Sequence, residues 1–249
     1  MNNRREIHIR EDAAEVATDA ARLFSELCFD AIARDGSFSV ALSGGATPEA
    51  LFNLLAGPPY ADKIPWDKVH LFWGDERCVS PDHPESNYKM AFQSLVSKLN
   101  IPRENVHRMQ GEAEPQAAAA AYEDELLLHL AISGKPGLDL VFLGLGSDGH
   151  TLSLFPGSPL LAHGDGGRLV AAGFVEAVRA YRISLTLTAV NNSDTAVFLV
   201  TGQPKAEILK KALEAGVGRR KYPATLIRPR GRLVWLVDKA AARLLSGVA

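Results

Sequence analysis

The sequence predicts an α/β protein: a largely parallel sheet wrapped by helices. Three observations carry this. Short apolar runs recur along the chain, and most are followed by a turn and then by a helical pattern, the rhythm of parallel strands joined by crossover helices. One of them opens the stretch Leu138 to Ser158 as an apolar run bounded by glycines, as expected for a strand covered on both faces. No repeat period, low-complexity tract or linker interrupts the 249 residues, so the expectation is one domain spanning 1–249, with 47% hydrophobic content ample for a substantial core.

Taken in order, residues 12 to 34 place Val16, Ala20, Leu23, Phe24, Leu27 and Ala31 at steps of three and four. That is an amphipathic helix, closed by Gly36. Phe38 to Leu42 reads as a strand. In the following SGGATPEALFNLLAG, Thr47 is the expected N-cap and Pro48 the first helical residue. VHLFWGDER, residues 69–77, reads as a second buried strand ending in three charges. A helix is expected from Ser86 to Leu99, a short strand over Val106 to Met109, and an alanine- and leucine-rich helix over Glu114 to Ile132. The glycine-bounded strand follows and breaks into a turn carrying Asp148 and His150, with His150 expected at the start of a short helical segment. Leu169 to Ala172 and Tyr181 to Leu187 are β-like. Asp194 to Thr201 is a strand feeding a helix with Pro204 in its first turn. Leu233 to Val237 closes the sheet before a last helix from Lys239 to Leu245.

Composition narrows the function. A formal charge of −2 argues against a general polyanion binder, so nucleic acid is not an expected partner and any anion site must be local. Cys28 and Cys78 make neither a disulfide framework nor a CxxC pair, which fits a reducing compartment. The opening MNNRREIHIRED has no apolar core of a leader, and no run approaches the ~18 apolar residues of a membrane span. The expectation is a cytoplasmic protein with no membrane partner. Without HExxH, EF-hand or paired CxxC spacing, no required metal or other cofactor is expected.

Several stretches carry groups capable of chemistry. Gly144, Gly146 and Gly149 spell GxGxxG, yet Asp148 would put a carboxylate inside a loop meant for pyrophosphate. Pro156 interrupts any long helix after it, and no acidic strand end follows at the right distance, so a dinucleotide site is rejected. Ser43, Gly44, Gly45, Ala46 and Thr47 offer amides and hydroxyls at a helix N-terminus, where an anion is favoured, without the GK[ST] ending of a nucleotide loop; an ordinary βα turn fits as well. Lys205 in a first helical turn opposes the dipole unless an anion compensates it, although a solvated surface lysine would tolerate the penalty. Arg182 is a second phosphate arm or simply exposed. Asp75, Glu76 and Arg77 are a solvated strand end, or a place where Arg77 holds a substrate oxygen and Asp75 orients a neighbour. His150 beside Asp148 is the expected general base, and His8, His70, His83, His107, His129 and His163 are expected to be structural or surface residues. Ala41 to Gly45 imitates a nucleophile elbow at Ser43, but a single preceding strand speaks against it, and Cys78 has no local histidine to activate it.

SGGATP, FWGDER, GLGSDGHTLSLFPGS and TGQPKA, in that order over most of the chain, resemble the 6-phosphogluconolactonase family. The resemblance runs from about Ala13 to Leu244. It implies a Rossmann-like α/β fold, helices on both faces of the sheet, and metal-free hydrolysis of 6-phosphogluconolactone to 6-phosphogluconate in the oxidative pentose phosphate pathway. It further implies His150 as the base activating water and Asp148 as its orienting group. Arg77 would face the substrate, and the Gly44–Gly45 turn, Lys205 and Arg182 would hold its phosphate. Ala46 stands where serine is frequent in the family, and Leu152 where alanine is common. The expected partner is a small phosphorylated sugar lactone, and the chain is expected to be a monomer or weak homo-oligomer. Two rivals are a glucosamine-6-phosphate deaminase-like enzyme and a non-catalytic sugar-phosphate sensor. The first lacks, after HTLSLFP, the glutamate its pattern requires; the second lacks an effector or DNA-binding segment.

Overall fold

The computed structural model describes residues 4–162, 167–214 and 221–246. His163 lies outside them. Six parallel strands form the central sheet in the order β1-β9-β8-β5-β2-β3: β1 (Arg4–Arg10), β9 (Arg232–Asp238), β8 (Thr195–Val200), β5 (Leu140–Leu143), β2 (Phe38–Leu42) and β3 (Val69–Trp73). A smaller antiparallel sheet, β4-β7-β6, stands beside it, made of β4 (Asp75–Arg77), β7 (Ala180–Leu185) and β6 (Val170–Val175). The largely parallel α/β expectation holds.

Alternation along buried strands splits the core in two. Leu140 and Phe142 of β5, with Val197 and Leu199 of β8, face a cluster that includes residues of α1 (Ala13–Asp35), α2 (Ala46–Leu55) and α4 (Asn87–Ser94). Val141 and Leu143, with Ala196, Phe198 and Val200, face the cluster formed with α5 (Pro115–Ser133), α8 (Ala206–Glu214), α9 (Lys239–Ala242) and the small sheet. Side chains pack on both faces of these strands, which is why they read as continuous apolar runs. Three short helices complete the element list: α3 (Tyr60–Lys63), α6 (Pro159–Ala162) and α7 (Leu187–Asn191). Among the described residues no helix is long and apolar enough to cross a membrane.

Several boundaries differ from expectation. β1 was not expected, because the alternating charges of RREIHIR mask it; it occupies the sheet edge, where its polar residues reach solvent. The run 69–77 is two strands. Gly74 donates its amide to Leu42, and the chain then leaves the parallel sheet to pair Asp75–Arg77 with Ser184–Arg182. Val106 makes only a single bridge, to Leu71, instead of a strand. Ser86 caps α4, which ends at Ser94, with a 3-10 turn over Val96–Lys98 beyond it.

This topology has a switch point. From β2 the chain moves outward to β3, and the next strands of the same sheet, β5, β8 and β9, lie on the other side of β2. The carboxyl ends of β2 and β5 therefore flank a crevice, where α/β sheets bind ligands.

Candidate active site

The turn after β2 forms one wall. Gly45, not Thr47, is the N-cap of α2, with φ 108 and no side-chain cap, and Pro48 falls in the third helical position. The first-turn amides are consequently open to a ligand, as unpaired donors at a positive dipole end. Gly44 is required sterically: a Cβ there would lie 2.0 Å from Asn87 Oδ1. Thr47 Oγ1 lies 2.7 Å from Thr201 Oγ1, linking the β2 turn to the end of β8. Beyond Thr201, the Asp238 carboxylate accepts from Gly202 N at 2.9 and 3.0 Å and holds the 3-10 turn Gln203–Lys205. Among the described residues Lys205 forms no ion pair, so its ammonium is unneutralised at the cleft.

The loop after β5 forms the floor. Gly146 N donates to His150 O at 2.8 Å, and a Cβ on Gly146 would meet His150 Nδ1 at 2.1 Å. His150 therefore does not begin a helix; it sits in a tight loop that continues through Leu152 at φ 54 and the Thr151–Leu154 bridge. Its ring stacks on Phe155 with centroids 4.0 Å apart, and Asp148 Oδ1 lies 2.6 Å from Nδ1 and accepts from the His150 amide at 3.1 Å. A carboxylate on Nδ1 fixes the tautomer whose Nε2 carries a free lone pair, the arrangement a general base needs.

β4 supplies the third wall. Asp75 is buried, accepts from Ser153 Oγ at 2.7 Å through Oδ2, and takes the Asn87 amide on its carbonyl at 2.9 Å, tying β4 to the His150 loop and to α4. Glu76 points the other way and receives four donors: the amides of Arg77, Asn87 and Tyr88, each at 2.8 Å, and Ser86 Oγ at 3.0 Å. Burial nonetheless raises its pKa above the usual carboxylate range, against those bonds. The Arg77 guanidinium bonds the Glu85 carbonyl.

Ser43, Gly44, Gly45, Thr47, Asp75, Arg77, His150 and Lys205, drawn from four strand ends, line one open cleft of about 510 Å³. Asp148 stands behind His150. Arg182 is not on the cleft wall, contrary to the expected direct phosphate arm. Antiparallel pairing sets it directly opposite Arg77, its Nη1 bonds the Tyr181 carbonyl, and burial with the Arg77 charge lowers its pKa. Asn87 and Thr201 are not singled out by the sequence: Asn87 sits in no recognised pattern, Thr201 only opens the TGQPKA stretch, and both act through partners far along the chain. Burial pushes the Cys78 thiol up to about 11, the opposite of an activated nucleophile. Ser43 receives no hydrogen bond from a histidine among the described residues, so the elbow reading has no base to support it.

A parallel α/β sheet with an uncapped helix start, an unpaired lysine and a carboxylate-oriented imidazole on one cleft has the make-up of an α/β enzyme site suited to an anionic substrate. Comparison with known proteins narrows the class. The family model for glucosamine-6-phosphate isomerases/6-phosphogluconolactonase matches residues 11–235, and the chain belongs to that family. The 6-phosphogluconolactonase of Synechocystis is 41% identical over 218 residues, covering 86% of this chain and 88% of the relative. That of Haemophilus influenzae is 41% identical over 207 residues, covering 83% and 87%. Among solved structures, 6-phosphogluconolactonase from Thermotoga maritima superposes with a TM-score of 0.81 at 29% identity, over 95% of this chain and 100% of that one. The Trypanosoma brucei enzyme gives 0.84 at 26%, over 98% and 100%.

Proposed function

We propose that this chain hydrolyses 6-phospho-D-glucono-1,5-lactone to 6-phospho-D-gluconate, the second step of the oxidative pentose phosphate pathway. It does so in the cytoplasm, as one domain, without a cofactor, as a monomer or weak homo-oligomer. The observation that carries the reading is the shared cleft: His150 with its Asp148 partner, and the unneutralised Lys205 beside the uncapped start of α2, line or back the same 510 Å³ space. That volume suits a six-carbon phosphate ester.

The phosphate sits against the Gly44–Gly45 amides, the Ser43 and Thr47 hydroxyls and Lys205, with Arg182 adding positive potential from behind Arg77. Anchoring at the phosphate orients the lactone, converting attack by water into an effectively intramolecular step. His150 Nε2 takes a proton from water as its oxygen bonds to the C1 carbonyl carbon, and the Asp148 carboxylate stabilises the imidazolium. Arg77 faces the oxygen on which charge develops. Collapse breaks the bond from C1 to the ring oxygen, and His150 returns the proton to that oxygen. Asp75 positions the loop through Ser153 and Asn87 without touching the reacting atoms. Formation of phosphogluconate from freshly generated lactone, above the spontaneous rate and undiminished by chelator, tests the reading. Release of ammonia from glucosamine 6-phosphate instead would overturn it.

A further inference from the structure

Three histidines that no step above uses converge at the opposite half of β3 from the cleft. His70 comes from the second position of β3, His107 from the segment before α5, and His129 from α5; one ring nitrogen of each lies within 4.8 Å of the others. We propose that His70, His107 and His129 bind a divalent transition-metal ion of the zinc type, with a fourth position left to water, and that the ion fastens α5 to the sheet edge. The proposal stands independently of the lactonase reading.

The geometry is close to a ligand set. His70 Nδ1 and His107 Nε2 are 3.1 Å apart. Tetrahedral zinc with bonds of ~2.0–2.1 Å places neighbouring nitrogens about 3.3 Å apart, so this pair is already at ligand spacing, and a nitrogen of the third ring stands within 4.8 Å of both. His107 Nδ1 lies 2.6 Å from Glu125 Oε1, the carboxylate support that ligating imidazoles use to fix their tautomer. Glu125 and His129 are one helical turn apart on α5, so a single face of that helix brings both the support and a ligand.

The second observation is an orphan. His129 Nε2 is buried with no hydrogen-bond partner, a costly state that points to a missing ligand. Phe72 walls the group, stacking on His107 at 4.2 Å and lying 5.1 Å from the His129 ring. All-nitrogen ligation suits zinc, cobalt, nickel or copper ahead of magnesium or calcium. α5 also carries Tyr122, whose hydroxyl accepts from Trp73 N and donates to Trp73 O just before Asp75, so an ion here would steady the helix that braces the β3–β4 junction.

The test is titration of chelator-treated full-length protein with Zn²⁺ by calorimetry and with Co²⁺ by visible absorption. The expected result is one equivalent bound, tetrahedral cobalt bands, and a higher Tm with zinc. His70→Gln and His129→Gln, each verified as folded by circular dichroism, abolish the bands. Glu125→Gln weakens binding by about 10–100-fold, the range for a lost outer carboxylate. His150→Gln leaves binding intact, which separates this ion from adventitious capture at the cleft. No saturable binding by the wild type, or binding lost in His150→Gln and kept in His129→Gln, would overturn the proposal.

Discussion

Removing the imidazole and removing its carboxylate partner should have very different effects. The His150→Ala variant loses the proposed general base, and a fall in kcat of ~10²–10⁴-fold is expected, with the fold intact because the ring lies at the cleft surface, stacked on Phe155 and bonded to Asp148. Asp148→Asn keeps a hydrogen-bond acceptor on Nδ1 and removes only a charge. At 2.6 Å, Coulomb attraction screened as in water is about 1.6 kcal/mol, and measured exposed pairs fall nearer ~1 kcal/mol. The side chains are 29% and 41% exposed, so that screened regime applies. The expected loss is therefore about 5–15-fold. The assay is phosphogluconate formation on fresh lactone with the spontaneous rate subtracted. An unchanged rate in His150→Ala would remove that residue from the mechanism. An Asp148→Asn loss as large as that of His150→Ala would refute the charge-only estimate and assign the carboxylate's main effect to holding the Nδ1–H tautomer.

Other outcomes follow from the same geometry. Lys205→Ala should raise KM by about 10–100-fold with little change in kcat, as for one charged hydrogen bond to the phosphate; a normal KM refutes its role. Gly44→Ala should lower stability by roughly 1–3 kcal/mol, read as Tm, and raise KM too, because its Cβ would displace Asn87 from between the turn and Asp75. Asp19 tests pH linkage. Burial alone would raise its carboxyl, but the hydrogen bonds and charges of Arg22 and Arg10 outweigh this and hold its pKa low. A carboxyl depressed in the fold contributes stability above its ordinary value of 3.8 that is lost as pH falls through the folded value. Asp19→Asn should thus cost about 1 kcal/mol at pH 7 and much less at pH 2, and an equal cost at both would refute the linkage.

Much of this molecule is legible in its sequence because buried parallel strands are apolar on both faces, so β2, β5 and β8 announce themselves without alternation. The Gly turn, the Asp148–His150 pair and Lys205 are readable because each sits just past such a strand. β1 is not, since an edge strand carries charges that resemble a surface segment. Gly45 takes the cap position from Thr47 because only a residue free to adopt φ 108 can make that entry, while Thr47 spends its hydroxyl on Thr201. His150 looked like a helix start because its neighbours are compatible with one, but the Gly146–His150 bond closes a loop first. Asn87, Glu76 and the histidine triad are long-range constellations assembled by folding, with no local spacing to betray them.

The two sheets divide the labour around the cleft. The anchoring groups stand on the ends of strands locked by packing on both faces, whereas Arg77 and the loop-bracing Asp75 arrive on a three-residue strand belonging to a separate antiparallel layer. Changes confined to that second layer would reshape the cleft beside Arg77 and leave the proposed phosphate anchor in place. Substitutions along β4 should accordingly alter how the cleft receives its ligand more than how firmly β2 and β8 hold their own geometry.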